Sequence, residues 1–153
     1  MGKEVLIILY DLSAAFDTVP HQILIEKLRL YGFGQLSIEW MESYLSNRKQ
    51  FAEVSGKRSS EQEVNIGTLQ GSRLSPLLFI ILMADLDLWT ENSTLSNFAD
   101  DIQSIIVRED RKNLLETASS EANCVINFFR SNGLVNNADK AAVLYLSLIH
   151  ISE

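Results

Sequence analysis

The chain has 153 residues, 46% hydrophobic and 22% charged, the balance of a globular domain with a core of its own. Its formal charge of −7 argues against free binding to nucleic acid, because phosphate contacts come mostly from Lys and Arg. The single cysteine, Cys124, rules out a disulfide framework and a cysteine-built zinc site and suits a reducing compartment. No signal peptide is visible, and no uncharged apolar run approaches the roughly 20 residues of a membrane span.

The first predicted element is a strand over about Glu4 to Tyr10. Its continuous apolar run is that of a strand buried on both faces. It ends in Asp11, whose charge would project into a crevice beyond the sheet edge; taken alone it is equally a strand terminator or a helix cap. Thr18 is a plausible N-cap, with Pro20 in the first turn of a helix carrying Ile23, Leu24, Lys27, Leu28 and Tyr31 and ending at Gly32. A second helix starts with Ser37 as N-cap and runs through Trp40, Met41, Tyr44 and Leu45. Next comes a hairpin around Ser55 and Gly56, or a mobile polar excursion. Arg48, Lys49, Lys57 and Arg58 make it the most basic stretch of the chain. A solvated loop is the ordinary reading of such a run, and a nucleic-acid contact the alternative.

Gly67 to Pro76 reads as a loop entering a helix, with Ser75 as N-cap and Pro76 at the first helical position. That helix is apolar nearly all round until Asp85, so it is expected under the sheet as the main core element. Gly71 beside Gln70 permits close backbone approach to a ligand. Two β-prone segments then flank Asp100 and Asp101, the pattern of a hairpin with the acids at its turn. The sharper alternative is a divalent-metal site, since a bound hard cation is the usual way to hold two adjacent carboxylates ionised. Asp110 caps a helix of roughly two dozen residues with a buried stripe of Leu114, Ala118, Val125, Phe128 and Phe129, and Gly133 stands at C′. Cys124 lies near that stripe as a small buried hydrophobe. The stretch "AAVLYLSLIHI" closes the chain as a strand.

This order is close to β-α-β-β-α-β, an α+β chain of the ferredoxin-like, split βαβ kind. Were the strand before Asp11 adjacent to the hairpin, three carboxylates would meet at one end of one sheet. Two Mg²⁺ ions held there suit in-line phosphoryl transfer.

Four segments, in order, carry a resemblance: "YDLSAAFDTVPH", "TLQGSRLSPLLF", "FADD" and "NGLVNNADKA". They resemble the successive palm motifs of reverse transcriptases, most closely the non-LTR (LINE-type) retrotransposon branch, which "YLSNRKQ" also resembles. The match covers about Val5 to Ala142. It implies a polymerase palm fold and an RNA-directed DNA polymerase that extends a primer 3′-hydroxyl with dNTPs on an RNA template for retrotransposition. It further implies Asp11 and Asp100 as principal ligands of two Mg²⁺ ions (Mn²⁺ being an alternative), with Asp101 beside them and the Leu12 carbonyl completing the shell. Phe16 matches the residue that excludes a ribose 2′-hydroxyl, Gln70 and Gly71 the loop near the incoming nucleotide, and Lys140 a lysine near the triphosphate. Asp17 matches a recurrent acid, for which helix capping competes. Arg48, Lys49 and Arg73 are the candidate nucleic-acid contacts.

On this resemblance residues 1–146 form a partial domain, with fingers, thumb and an endonuclease part supplied elsewhere in a parent polyprotein. The tail 147–153 resembles translated sequencing-adapter read-through. A eukaryotic retrotransposon source would imply nucleus or cytoplasm, with no membrane partner. Pro20, Thr68, Leu69, Arg73, Asn136 and Ala141 depart from the family pattern, the last two in the final motif. The competing reading is a catalytically inactive ferredoxin-like fragment that keeps the motifs by descent. A phosphatase wants D-x-D where this chain has Asp11-Leu12-Ser13, and a response regulator wants strictly alternating βα units.

Overall fold

In the computed structural model, which describes residues 3–69, 71–98 and 100–148, the chain forms two compact units. One joins Met1–Ala15 to Met83–Glu153, and the other is Phe16–Leu82. In chain order the elements begin β1 (Lys3–Tyr10), α1 (His21–Leu30), α2 (Gln35–Leu45), β2 (Arg48–Gln50), β3 (Glu53–Val54), β4 (Lys57–Arg58) and β5 (Gln62–Val64). They continue with α3 (Ser75–Met83), a 3₁₀ turn (Leu86–Trp89), β6 (Thr94–Phe98), β7 (Asp101–Arg108), α4 (Arg111–Ser131) and β8 (Ala142–Leu148).

The first unit is built on a four-stranded sheet in the order β6-β7-β1-β8, with every neighbouring pair antiparallel. Counting only these strands, the order from β8 is fourth, first, third, second, the ferredoxin-like arrangement that the element order predicts. Strand alternation sends Leu6, Ile8, Tyr10, Ile102 and Ile106 to one face, where they are buried under α4. The helix contributes Leu114, Ala118, Val125, Phe128 and Phe129, all buried, as its periodicity predicts. Phe129 meets the Tyr10 ring edge-on at 5.8 Å. Asp110 caps α4 by accepting from the Asn113 N–H at 2.8 Å, and Gly133 takes a positive φ of 68° just beyond its end.

The opposite face departs from the expectation of a strand buried on both sides. Val5 and Ile7 are half-buried, and Leu9, Val107, Leu144 and Leu146 are exposed. An antiparallel sheet needs a covering layer on one side only, and among the described residues α4 is the helix that packs on it. The long apolar helix predicted after Pro76 is also shorter than expected. It stops at Met83, a 3₁₀ turn follows, and Leu77 and Ile80 are exposed while Leu78, Phe79, Leu82 and Met83 are buried.

In the Phe16–Leu82 unit, β2 pairs with β5 and β3 with β4, and Ser55 and Gly56 form the tip with φ of 51° and 76°. Double positive φ is the signature of a tight hairpin turn. Helix starts differ from the side-chain caps predicted. Pro20, not Thr18, occupies the N-cap position of α1, Gly34 rather than Ser37 that of α2, and neither makes a side-chain cap bond. Ser75 lies inside α3, and its hydroxyl donates back to the Leu69 carbonyl at 2.5 Å. On α2 the buried stripe is Ile38, Met41 and Leu45; Trp40 is 54% exposed and stacks on Tyr44.

Candidate active site

Asp11 follows Tyr10, the last residue of β1 in register with β7, where Tyr10 stands opposite Ile102. One step further along the same antiparallel register puts Asp11 across from Asp101, the first residue of β7. Alternation sends both side chains to the uncovered face with Leu9 and Gln103. There they line one cleft of about 290 Å³, together with Lys140.

The backbone around Asp11 is clamped by the segment after α4. The Asn137 N–H donates to the Asp11 carbonyl at 2.8 Å and the Ser13 N–H to the Val135 carbonyl at 2.9 Å, flanking an antiparallel bridge between Leu12 and Asn136. In a pair flanked this way, the opposed residues turn their own N–H and C=O groups away from each other. The Leu12 carbonyl is thus directed to the β7 side of the chain, the side of the two hairpin acids. The same clamp continues into a turn in which the Lys140 and Ala141 N–H groups donate to the Asn137 carbonyl at 3.2 and 3.1 Å. This turn carries the Lys140 ammonium to 3.8 Å from Asp11 Oδ2.

Asp100 lies in the β6–β7 turn and is exposed, while Asp101 has moved out of the turn into the strand opposite Phe98. The sequence pattern predicts both at the turn. A two-residue connection between Phe98 and Asp101 leaves room for only one of them. Ala99 lies outside the described residues, and so does Gln70. Among the described residues no three carboxylate, imidazole or thiol groups cluster closely enough to hold an ion by themselves. The cleft instead offers the two carboxylates of Asp11 and Asp101, hard oxygen donors of the kind Mg²⁺ prefers, and the Leu12 carbonyl is turned to the same side of the chain.

Beneath the cleft the sheet is held by a buried polar pair, Ser104 Oγ donating to Tyr10 Oη at 3.2 Å. Burial raises the Tyr10 pKa above its usual value, opposed by this hydrogen bond, with the charges of Glu121 and Cys124 adding to the rise. Asn136, where an apolar residue is expected, has its amide oxygen buried with no hydrogen-bond partner.

The other sequence-predicted residues belong to the Phe16–Leu82 unit. Phe16 is half-buried, its ring 5.1 Å from that of Phe79. The segment 67–68 fixes its backbone. The Thr68 N–H donates to the Phe16 carbonyl and the Gly67 N–H to the Val19 carbonyl, both at 2.8 Å, while His21 Nε2 donates to the Gly67 carbonyl at 2.7 Å. Gly67 has a φ of +81°, and a Cβ there would lie 2.6 Å from the Asp17 carbonyl oxygen. At Gly71, where the sequence allows a ligand to approach the backbone closely, nothing of the protein lies within 4 Å of the position a Cβ would take. The tight contact is at Gly67, four residues earlier.

Asp17 is not the N-cap residue of α1, a position that Pro20 takes. Asp17 lines a second cleft, of about 660 Å³, with Arg48, Lys49, Gln50 and Glu63. Arg48 presents a buried Nη1 without an acceptor, Lys49 pairs with Glu61 at 3.5 Å on the surface, and Arg73 is exposed. Neither Gly67 nor the clamp at 135–137 stands out in the sequence pattern. No local pattern in residues 134–141 signals the clamp, which depends on how that segment registers against residues 11–13.

A family model described as reverse transcriptase (RNA-dependent DNA polymerase) matches residues 1–148. The chain belongs to the reverse transcriptase family. Two curated relatives, both described as the retrovirus-related Pol polyprotein from type-1 retrotransposable element R2 of Popillia japonica, are each 28% identical to it. The alignments cover 92% and 86% of this chain, and it spans only 24% and 19% of the relatives' length. The similarity thus falls on non-LTR reverse transcriptases, as the motifs imply. Among solved structures, apo telomerase from Candida tropicalis truncated from its C-terminal domain superposes with a TM-score of 0.70 at 17% identity, over 94% of this chain and 31% of that one. Telomerase from Candida albicans in complex with a fragment of telomeric RNA gives 0.69 at 14% identity, over 97% and 27%. At such identities these neighbours share the reverse transcriptase fold, and the α+β palm architecture agrees with them.

Proposed function

We propose that this chain is the palm of an RNA-directed DNA polymerase, performing nucleotidyl transfer through two divalent ions held at the Asp11–Asp101 cleft. What carries the reading is that the two acids stand opposite each other across β1 and β7 and share one cleft with Lys140, in a chain that matches the family over residues 1–148. The hard oxygen set fits Mg²⁺ or Mn²⁺. Asp11 and Asp101 would supply carboxylate oxygens, the Leu12 carbonyl a third ligand, and Asp100 a further one from the turn. Bound there, divalent cations would activate the primer 3′-hydroxyl and offset the charge of the triphosphate and its pyrophosphate leaving group.

The side chains then act by positioning, which is most of what phosphoryl transfer asks of a protein. Phe16, braced by Phe79, would present a ring edge against the sugar of the incoming nucleotide. Gln70 and Gly71 would approach the nascent base pair, and Lys140 would offer a mobile positive charge to the phosphates. Arg48, Lys49 and Arg73 would contact the RNA template or DNA primer. A chain of net charge −7 cannot grip a duplex well by itself, so fingers, thumb and an endonuclease part elsewhere in a longer polyprotein would supply the basic surface. Residues 1–146 are then a partial domain, and 147–153 a non-native tail.

Two assays test this. Placed in the corresponding stretch of an R2-type polyprotein, the chain should support extension of a DNA primer on an RNA template. Asp11→Asn, Asp100→Asn and Asp101→Asn should each lower the rate by at least about a hundredfold, the scale for losing one preorganised electrostatic group. The 153-residue chain alone should extend little or nothing. Extension by the isolated chain, abolished by Asp100→Asn, would overturn the fragment reading; extension by the chimera that ignores all three substitutions would overturn the site.

A further inference from the structure

We infer that Lys140 is the built-in counter-ion of the acid pair, occupying the Asp11 carboxylate in the metal-free protein and competing with a divalent cation for it. The inference rests on the metal-site reading and adds a means by which the chain itself sets how readily the site loads.

Asp11, Asp100 and Asp101 concentrate negative charge at one end of the sheet, and such carboxylates repel unless a cation is near. In the cleft that cation is Lys140, 3.8 Å from Asp11 Oδ2. Its placement comes from the backbone. Asn137 donates its N–H to the Asp11 carbonyl and accepts from the Lys140 and Ala141 N–H groups, so one turn holds the main chain of Asp11 and delivers an ammonium to its side chain. With four rotatable carbons and a side chain 69% exposed, the ammonium can swing out into solvent at little cost. A compact, mobile charge of this kind shields the acids when no metal is bound and leaves when one binds. A cation must therefore displace Lys140 or share Asp11 with it. Even at the dielectric of bulk water, unit charges about 4 Å apart change an equilibrium about fivefold.

The test is Mn²⁺ binding to the 153-residue chain at low ionic strength, followed by the EPR signal of free Mn²⁺. Lys140→Gln should bind Mn²⁺ at least about fivefold more tightly than the parent. Lys140→Arg, which keeps the charge, should match the parent, and raising the salt should shrink the difference. In the metal-free protein the ¹³Cγ resonance of Asp11 should move in Lys140→Gln while that of Asp110 stays in place. Equal or weaker Mn²⁺ binding by Lys140→Gln, or an unmoved Asp11 resonance, would overturn the counter-ion role. The metal-site reading is tested separately: if neither Asp11→Asn nor Asp101→Asn weakens Mn²⁺ binding, that reading falls, and the competition with it.

Discussion

In the unit formed by Met1–Ala15 and Met83–Glu153, the acidic segment is held by main-chain pairing on both sides. β7 runs along one edge of β1, and the 135–137 segment grips residues 11–13 along the other. In the Phe16–Leu82 unit, the loop at 67–68 is held on residues 16–19 by hydrogen bonds that exist only because Gly67 has no side chain. Main-chain ladders tolerate changes of side chain, whereas a contact built on a missing Cβ does not. Substitutions in the two units should therefore differ in effect far more than their burial suggests.

The sharpest break of that comparison is Gly67→Ala. A Cβ 2.6 Å from the Asp17 carbonyl, at a φ of +81°, forces the backbone apart. The expected loss is about 3 kcal/mol or more, read as a fall in urea midpoint. A loss below about 1 kcal/mol would mean that the loop is not pinned there. Asn136→Leu tests the clamp from the other direction. It removes a buried amide oxygen that has no partner while leaving the main-chain bonds at 135 and 137 intact. Stability should rise by about 1–2 kcal/mol, and a loss would show that the amide serves the fold in a way its contacts do not reveal. Asp110→Ala removes one side-chain cap from α4 and should cost about 1 kcal/mol, visible as a lower thermal midpoint.

The smallest effect is a pH dependence. Burial raises the folded pKa of Tyr10 above the unfolded value of 10.0. The folded state thus holds the phenolic proton more tightly, so the contribution is fully present below pH 10.0 and fades as pH climbs from there through the folded pKa. Urea titrations should show this alkaline decline in the parent. Tyr10→Phe should lack it, at the cost of leaving Ser104 Oγ unpaired.

The sheet unit was the more legible of the two in sequence. Its strands alternate or run apolar, Asp110 and Gly133 bracket α4, and the motif acids mark the ends of β1 and the hairpin. Periodicity could not say that one face of β1 stays uncovered, because a continuous apolar run looks the same whether one side or two are packed. Nor could it separate Asp100 from Asp101, since the boundary between turn and strand depends on register. In the other unit, the helices start at Pro20 and Gly34, which lack the Ser, Thr or Asp side chain that marks a capped helix start in sequence. Gly67 went unnoticed beside Gly71 because a close approach between segments about fifty residues apart leaves no local pattern. The pairing of Lys140 with Asp11 was equally hidden: it depends on the turn at 137–141, not on any spacing in the chain.

The most direct measurement of the central claim is paramagnetic broadening of backbone amide resonances during a Mn²⁺ titration. If the cleft binds the ion through both strands, Asp11 and Leu12 should broaden at the same Mn²⁺ concentrations as Asp101 and Ile102. Broadening confined to Asp100, Asp101 and their hairpin, with Asp11 unaffected, would contradict a shared metal site.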